Sequence, residues 1–316
     1  MTDRDALTAP TMRLAIKIAG DVTGQVPIGA RRFETGMRHY VFEVEFASRQ
    51  PVVVRMGAES AETEIAGAVR LSKMLRPRGV PLPEMLAWHL GAGPPWMVLE
   101  RLPGTDLGAV IRTLSSEQLE RIASRVAGAQ AITAKTGSAG RYGYASRPDE
   151  APYATWAKVL EANLTRSQAR ISSAGIFDGS WVDVVRTAVA RRRDEIDRFE
   201  AIPFLHDTTT KNVIVAPDGE FSGIVDVDDL CFGDPRYPAA LTLAVLLAYG
   251  GPTEYVSAWL RHAREFDDSV FRLYVLIFLL DLMSEHGQTF NGNERPWPSE
   301  ARSSLRRAFE NGLRLI

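Results

Sequence analysis

The sequence predicts an α+β fold in two parts: a strand-rich lobe over residues 1–102 and a mostly helical lobe over residues 103–316. Three observations carry this expectation. Apolar and polar residues alternate in short runs within about the first hundred positions, the period of half-buried strands. From about residue 105 onward, apolar residues recur instead at helical spacing. The exception in the second part is a hairpin between Phe204 and Pro235, where Pro217, Asp218 and Gly219 separate two short apolar runs.

Taken in order, residues 11–20 carry apolar positions at helical spacing and predict a leading helix. Tyr40, Phe42, Val44 and Phe46 alternate with other residues as a strand, and residues 51–55 form its partner across the polar turn Ser48-Arg49-Gln50. The segment from Gly29 to Gly36 reads as a loop before the first of these strands, either a phosphate cover or a simple turn. Residues 60–76 predict a helix with Ser60 as N-cap, and Glu64, Ala68, Leu71 and Leu75 fall along one face. A further strand pair ends in Trp96–Leu102. Helices are expected over 115–136, 153–172 and 179–199, with a Gly-, Ser-, Pro- and Tyr-rich loop over 139–152. After the hairpin come helices near 238–249, 252–265, 268–286 and 298–313.

With 316 residues, 45% hydrophobic and 24% charged, the chain is long enough to bury two cores. A net charge of -2 gives no electrostatic case for a nucleic-acid partner. The single cysteine, Cys231, excludes an internal disulfide framework and fits a reducing compartment. The N-terminus has early acids and no sustained apolar core, unlike a signal peptide, and the C-terminus has no lipidation motif. The longest apolar run, near Leu273–Leu280, is too short to span a bilayer. The expectation is a cytoplasmic protein with no membrane or nucleic-acid partner and no obligate protein partner.

The hairpin concentrates the chemistry. Val213–Val215 reads as its first strand, and Gly223-Ile224-Val225 starts the return. Asp207 and Asn212 precede the first strand; Asp226, Asp228 and Asp229 follow the second. A hairpin brings its ends together, so carboxylates and an amide should converge. Magnesium prefers oxygen ligands and takes few of them from protein, so Asn212 and Asp226 have suitable atoms. Asp207, five residues before Asn212, could accept a proton from an attacking hydroxyl. The alternative is a polar hairpin with solvated acids.

This order of residues is similar to the protein-kinase catalytic loop, and it resembles the aminoglycoside phosphotransferase family of small-molecule kinases. The matching elements are His206-Asp207, Asn212, Val225-Asp226-Val227 and Gly233-Asp234-Pro235. The resemblance implies a protein-kinase-like two-lobed fold. It implies transfer of phosphate from ATP, or GTP, with Mg, to a hydroxyl of an aminoglycoside or a related amine- or hydroxyl-rich compound. In that scheme Asp207 is the base, and Asn212 and Asp226 hold the metal. Lys211 either neutralises charge on the transferring phosphate or is a solvated lysine. Arg55 stands where kinases usually place a Lys that grips phosphates, and Glu64, or else Glu62, would pair with it. The Leu99-Glu100-Arg101-Leu102-Pro103-Gly104 run resembles the family's hinge, which implies adenine contacts from the Glu100 carbonyl and the Leu102 amide.

The family's histidine usually stands two residues before the base, where this chain has Leu205, so His206 reads as a loop strut. Asp228 and Asp229 either contact a second metal or orient the loop. Asp234 would tie its loop back to the catalytic loop. Tyr237-Pro238 replaces a Tyr-Asp pair frequent in the family. Asp281 and Glu285 lie one turn apart on a helix. They read either as a site for a cationic acceptor or as a partly exposed helix end, with Glu294 and Glu300 as further acids. Trp156, Trp181, Trp259 and Trp297 read as core. A macrolide, sugar or choline-like acceptor, a non-catalytic nucleotide-binding pseudokinase and a metal-dependent hydrolase are the alternatives. A protein substrate is disfavoured, because no A-P-E motif follows Asp226. An antibiotic-resistance role would follow from an aminoglycoside or macrolide acceptor.

Overall fold

The computed structural model describes residues 10–33, 39–288 and 299–316, apart from the side chain of Glu59. These residues form two compact units. One holds the chain up to Pro103 together with Gly223–Asp229; the other holds Gly104–Ser222, Leu230–Gln288 and the chain from 299 on. The return of Gly223–Asp229 to the first unit has no counterpart in the pattern of the sequence.

In the first unit, helix α1 (Met12–Thr23) is capped by Thr11, whose hydroxyl accepts from the Leu14 amide at 3.2 Å. Strands β1 (Pro27–Arg32), β2 (Tyr40–Phe46), β3 (Val52–Met56), β4 (Met85–His89) and β5 (Trp96–Glu100) form one antiparallel sheet in the order β1-β2-β3-β5-β4. The alternation read from Tyr40 to Phe46 works as expected: Phe42, Val44 and Phe46 are buried against Ala15, Ile18 and Ala19 of α1. Gly29 is not in a loop. It lies in β1 opposite Glu45, so the expected loop begins only beyond Arg32, and residues 34–38 of it lie outside the described residues. Helix α2 (Glu62–Leu75) follows a 3-10 turn over Glu59–Ala61, which takes Ser60 out of the N-cap position; no side chain caps this helix.

The second unit opens at Gly104, whose φ of 103° and contact with the Val215 carbonyl, 1.8 Å from where a Cβ would sit, admit glycine alone. There β6 (Thr105–Asp106) pairs antiparallel with β9 (Val213–Val215). Helices α3 (Ser116–Thr133), α4 (Trp156–Ala174), α5 (Ser180–Arg191), α6 (Tyr237–Tyr249), α7 (Glu254–Ala263), α8 (Ser269–Glu285) and α9 (Ser299–Leu313) stand where helices were expected, except that the one expected over 179–199 ends at Arg191 and gives way to a short helix over Arg193–Ile196. A capping box of Ser115 and Gln118 starts α3. The sequence did not announce a three-stranded sheet of β7 (Gly143–Ala145), β11 (Leu230–Gly233) and β8 (Ile202–Phe204). Strand β10 (Phe221–Ile224) ends before Val225, so the return strand is earlier than read.

The core of this unit is built around α8, buried on almost every face from Val270 to Ser284. Trp156 and Trp259 are core as expected, and half-buried Trp181 stacks on Phe309; Trp297 lies outside the described residues. Among the described residues no helix is long and apolar enough to cross a membrane.

Candidate active site

The turn between β8 and β9 carries Asp207 and Asn212. Asn212 is buried and its Nδ2 donates to the Asp207 carbonyl at 2.9 Å, which fixes the amide and leaves its oxygen available. The Thr209 hydroxyl donates to Asp207 Oδ1 at 3.2 Å. Gln130 of α3 braces the turn from behind. Its Nε2 donates to the Leu205 carbonyl and to Thr208 Oγ1, each at 2.9 Å, and its Oε1 accepts from the Leu205 amide at 2.9 Å. Thr242 of α6 adds a donor to the Thr208 carbonyl at 3.3 Å. Leu205 and Thr208 thus spend their polar groups on the scaffold, while Asp207 stays half-buried and Lys211 exposed. His206 packs edge-on against Tyr144 of β7, ring centres 5.0 Å apart.

In the first unit a second polar cluster forms around Arg55, which is only 5% exposed. Its Nη2 lies 2.9 Å from Asp226 Oδ1 and 2.5 Å from Asp228 Oδ1, and donates to Asp228 Oδ2 at 2.6 Å. His39 Nε2 meets that same Oδ2 at 3.1 Å. Burial disfavours the charge on both partners. Even so, Arg55 and then His39 hold the Asp228 carboxyl well below the usual carboxylate range, and Asp228 and Asp226 raise Arg55. Arg55 Nε, His39 Nδ1 and Asp228 Oδ1 are buried without a hydrogen-bond partner. Asp226 has a φ of 64°, a left-handed conformation that a non-glycine residue adopts at a cost of about 1–2 kcal/mol. Its carboxylate remains 51% exposed.

The expected pair of Arg55 with Glu64 is not formed. Glu64 Oε2 is buried without a hydrogen-bond partner, and the carboxylates in ion-pair contact with Arg55 are those of Asp226 and Asp228. The helix phase that turned Glu64 inward was read correctly; the segment Gly223–Asp229, folded onto the first unit, reaches Arg55 instead. Glu62 is exposed.

A family model described as the phosphotransferase enzyme family matches residues 29–274. The chain belongs to this family. As such it is a small-molecule kinase, a phosphotransferase with an alcohol group as acceptor. No curated protein matches its sequence. Its fold is similar to solved structures across nearly its whole length. The GDP complex of wild-type aminoglycoside 2'-phosphotransferase-IIIa aligns with a TM-score of 0.68 at 14% identity, over 96% of this chain and 99% of that one. Aminoglycoside phosphotransferase APH(4)-Ia aligns with a TM-score of 0.64 at 17% identity, over 96% and 99%. A protein from Thermobifida fusca YX-ER1 whose name assigns it to fructosamine-3-kinase aligns with a TM-score of 0.61 at 18% identity, over 96% and 100%.

In this phosphotransferase the two late acids divide. Asp281 is held by Arg166 Nη2 at 3.0 Å and Ser167 Oγ at 3.4 Å, both from α4. Glu285, one turn on and half-buried, has no such anchor among the described residues. Burial, then Asp281 and Asp207, push its carboxyl up to about 7, with Lys211 and Arg170 pulling the other way. Glu285 therefore feels the charges of the Asp207 turn. Glu300 is exposed on α9, and Glu294 lies outside the described residues.

Asp234 corrects another expectation. It is buried, and its hydrogen bonds do not run to the Asp207 turn. It accepts from Arg236 and from the Tyr274 hydroxyl at 3.0 Å, and Tyr274 in turn accepts from Trp156 Nε1 at 2.8 Å. Gly233 before it touches the Trp156 ring, 2.3 Å from where a Cβ would sit. Glu100 ends β5 opposite Val52, and Leu102 is buried, its carbonyl accepting from the Arg101 guanidinium. Asp229 is half-buried. His39, Gln130 and Arg166 escaped the sequence reading, since each acts on a residue at least 75 positions away.

The donors present fit a magnesium ion, which takes oxygen ligands and few from protein. Asn212 offers a fixed amide oxygen in the second unit, and Asp226 a half-exposed carboxylate in the first.

Proposed function

We propose that this phosphotransferase moves the γ-phosphoryl group of ATP or GTP, as its magnesium complex, onto a hydroxyl of a small cationic acceptor of the aminoglycoside kind. The observation that carries the reading is the Asp207 turn. A half-buried carboxylate and an amide oxygen are fixed on one turn, whose Leu205 and Thr208 are tied to Gln130 and Thr242. Asp207 takes the proton of the acceptor hydroxyl as its oxygen bonds to the γ-phosphorus. The bond from that phosphorus to the bridging oxygen breaks, and the nucleoside diphosphate leaves. Asn212 and Asp226 would hold the magnesium, which neutralises phosphate charge. Arg55 grips phosphate oxygens through its uncommitted Nε, and Lys211 meets the charge on the transferring group.

The cationic acceptor follows from Glu285. It is the acid of the pair that no arginine hydrogen-bonds among the described residues, and an ammonium group would complete it. A solved relative, a thermostable APH(4)-Ia mutant, holds AMP-PNP and hygromycin B together. A macrolide, a sugar or a choline-like alcohol would use the same Asp207 chemistry.

The test is magnesium-dependent turnover of ATP and of GTP against aminoglycosides, amino sugars, macrolides and small alcohols. Stimulation by an amine-bearing member is expected, with Asp207→Asn lowering kcat by about 10²–10⁴-fold. Stimulation by neutral acceptors alone would overturn the cationic acceptor, and magnesium-nucleotide binding with no transfer to any member would favour a pseudokinase.

A further inference from the structure

We propose that Asp228, itself held by His39, is the positioning residue for Arg55, taking the part that the family resemblance assigns to an acid of helix α2. The inference rests on reading Arg55 as the ligand of the nucleotide phosphates.

A cation as buried as Arg55 requires a partner, and an unpaired one would be costly. Two acids reach it, and they are not equivalent. Asp226 comes within 2.9 Å of Arg55 through Oδ1, has a half-exposed side chain, and is the residue read as a metal ligand. Asp228 meets the Arg55 Nη2 with both oxygens, its side chain 17% exposed, and spends Oδ2 on His39 as well. An Asp226 turned to a metal would leave Arg55 still held by Asp228.

The chain builds this arrangement within one unit. In the sheet register Tyr40 faces Met56 and Val41 faces Arg55, so His39, at the entry to β2, stands beside the end of β3. The segment bearing Asp228 is pinned by the Ile224 amide, which donates to the Pro81 carbonyl at 2.9 Å. Gly223 permits this approach, since a Cβ there would meet that carbonyl at 2.6 Å. Glu64, the acid of α2, keeps a buried oxygen with no hydrogen-bond partner.

The same geometry explains why the strand cation is an arginine. Its Nη2 is occupied by Asp228 while its Nε, a separate donor on the same rigid fork, has no acceptor. A lysine would have to serve the aspartate and a phosphate with a single nitrogen.

The experiment measures the dissociation constant of the magnesium–ATP complex by titration calorimetry, with melting curves to confirm that each variant is folded. Arg55→Met and Asp228→Asn should each weaken binding by about tenfold or more. The double variant should bind within about threefold of Arg55→Met alone, because the second change removes a group that acts through the first. Glu64→Gln should combine multiplicatively with Arg55→Met. His39→Leu should weaken binding and His39→Gln, which keeps a donor, should restore most of it; these two carry the test if Asp228→Asn does not fold. Wild-type binding with Asp228→Asn within twofold of it, or non-additivity found for Glu64 in place of Asp228, would overturn the inference while leaving the nucleotide reading intact. No binding by the wild-type protein would overturn that reading, and the inference with it.

Discussion

Two arginines of this protein are almost equally buried, Arg236 at 4% and Arg55 at 5% exposure, and each faces two aspartates. They differ in how completely their networks close. Arg236 donates through Nε and Nη2 to Asp234 and through Nη1 to Asp268 at 2.6 Å and the Phe266 carbonyl at 3.2 Å. Asp234 also receives the Arg236 amide and the Tyr274 hydroxyl. Neither residue has a buried polar atom left over. The Arg55 cluster has two with no partner at all, Arg55 Nε and His39 Nδ1. Leaving a buried polar group unpaired costs about 1–3 kcal/mol. A closed network is an end in itself and serves the fold; an open one makes sense where a ligand supplies the missing partners.

The contrast can be broken by experiment. Its largest consequence concerns stability. Arg236→Met strands two carboxylates, one of them fully buried, and should cost about 3–5 kcal/mol in denaturant unfolding. A loss below about 1 kcal/mol would show that the closed network does not serve the fold. Next comes the response to ligand. At a hundredfold excess over its dissociation constant a ligand stabilises the folded state by about 2.7 kcal/mol. Magnesium–ATP should raise the melting temperature of the wild-type protein and of whatever Arg236→Met protein folds. The rise should shrink in Arg55→Met. Equal rises in all three would erase the distinction.

The closed and open networks were not equally legible in the sequence. The Asp207–Asn212 turn and the hairpin after it could be read because they are local: one turn and two short strands hold them. The acid opposite Arg55 could not. Helix phase correctly turned Glu64 inward, but Asp228 lies 173 residues from Arg55 and arrives through a segment that folds onto the first unit. His39 carries no signal at all, being one residue at the mouth of a strand. The left-handed backbone of Asp226 was equally invisible, since aspartate rarely adopts it. Asp234 was legible as structural, but its partner Tyr274 was not, because the two become neighbours only once α8 is packed. Ser60 failed as a cap because a 3-10 turn precedes the helix there.

The same contrast recurs, one helical turn apart, on α8, and there it has its smallest consequence. Asp281 is closed by Arg166 and Ser167, whereas Glu285 is open. Burial, Asp281 and Asp207 raise the Glu285 carboxyl to about 7, against Lys211 and Arg170. Below that pH it is neutral; above it, a carboxylate. An acceptor ammonium favours the carboxylate, so KM for an amine-bearing acceptor should fall by about tenfold from one pH unit below that value to one above. Glu285→Gln should flatten this dependence and leave the KM of a neutral acceptor unmoved. Stability should run the opposite way. The folded protein keeps this proton to higher pH than the unfolded chain, whose carboxyl titrates near 4.5, so stability falls as pH rises from about 4.5 to about 7. Glu285→Gln removes that fall as well. A variant that lost the KM dependence but kept the stability slope would place the titrating group elsewhere. Loss of both would identify Glu285 as the acid whose charge is unpaired in the fold and completed by the acceptor.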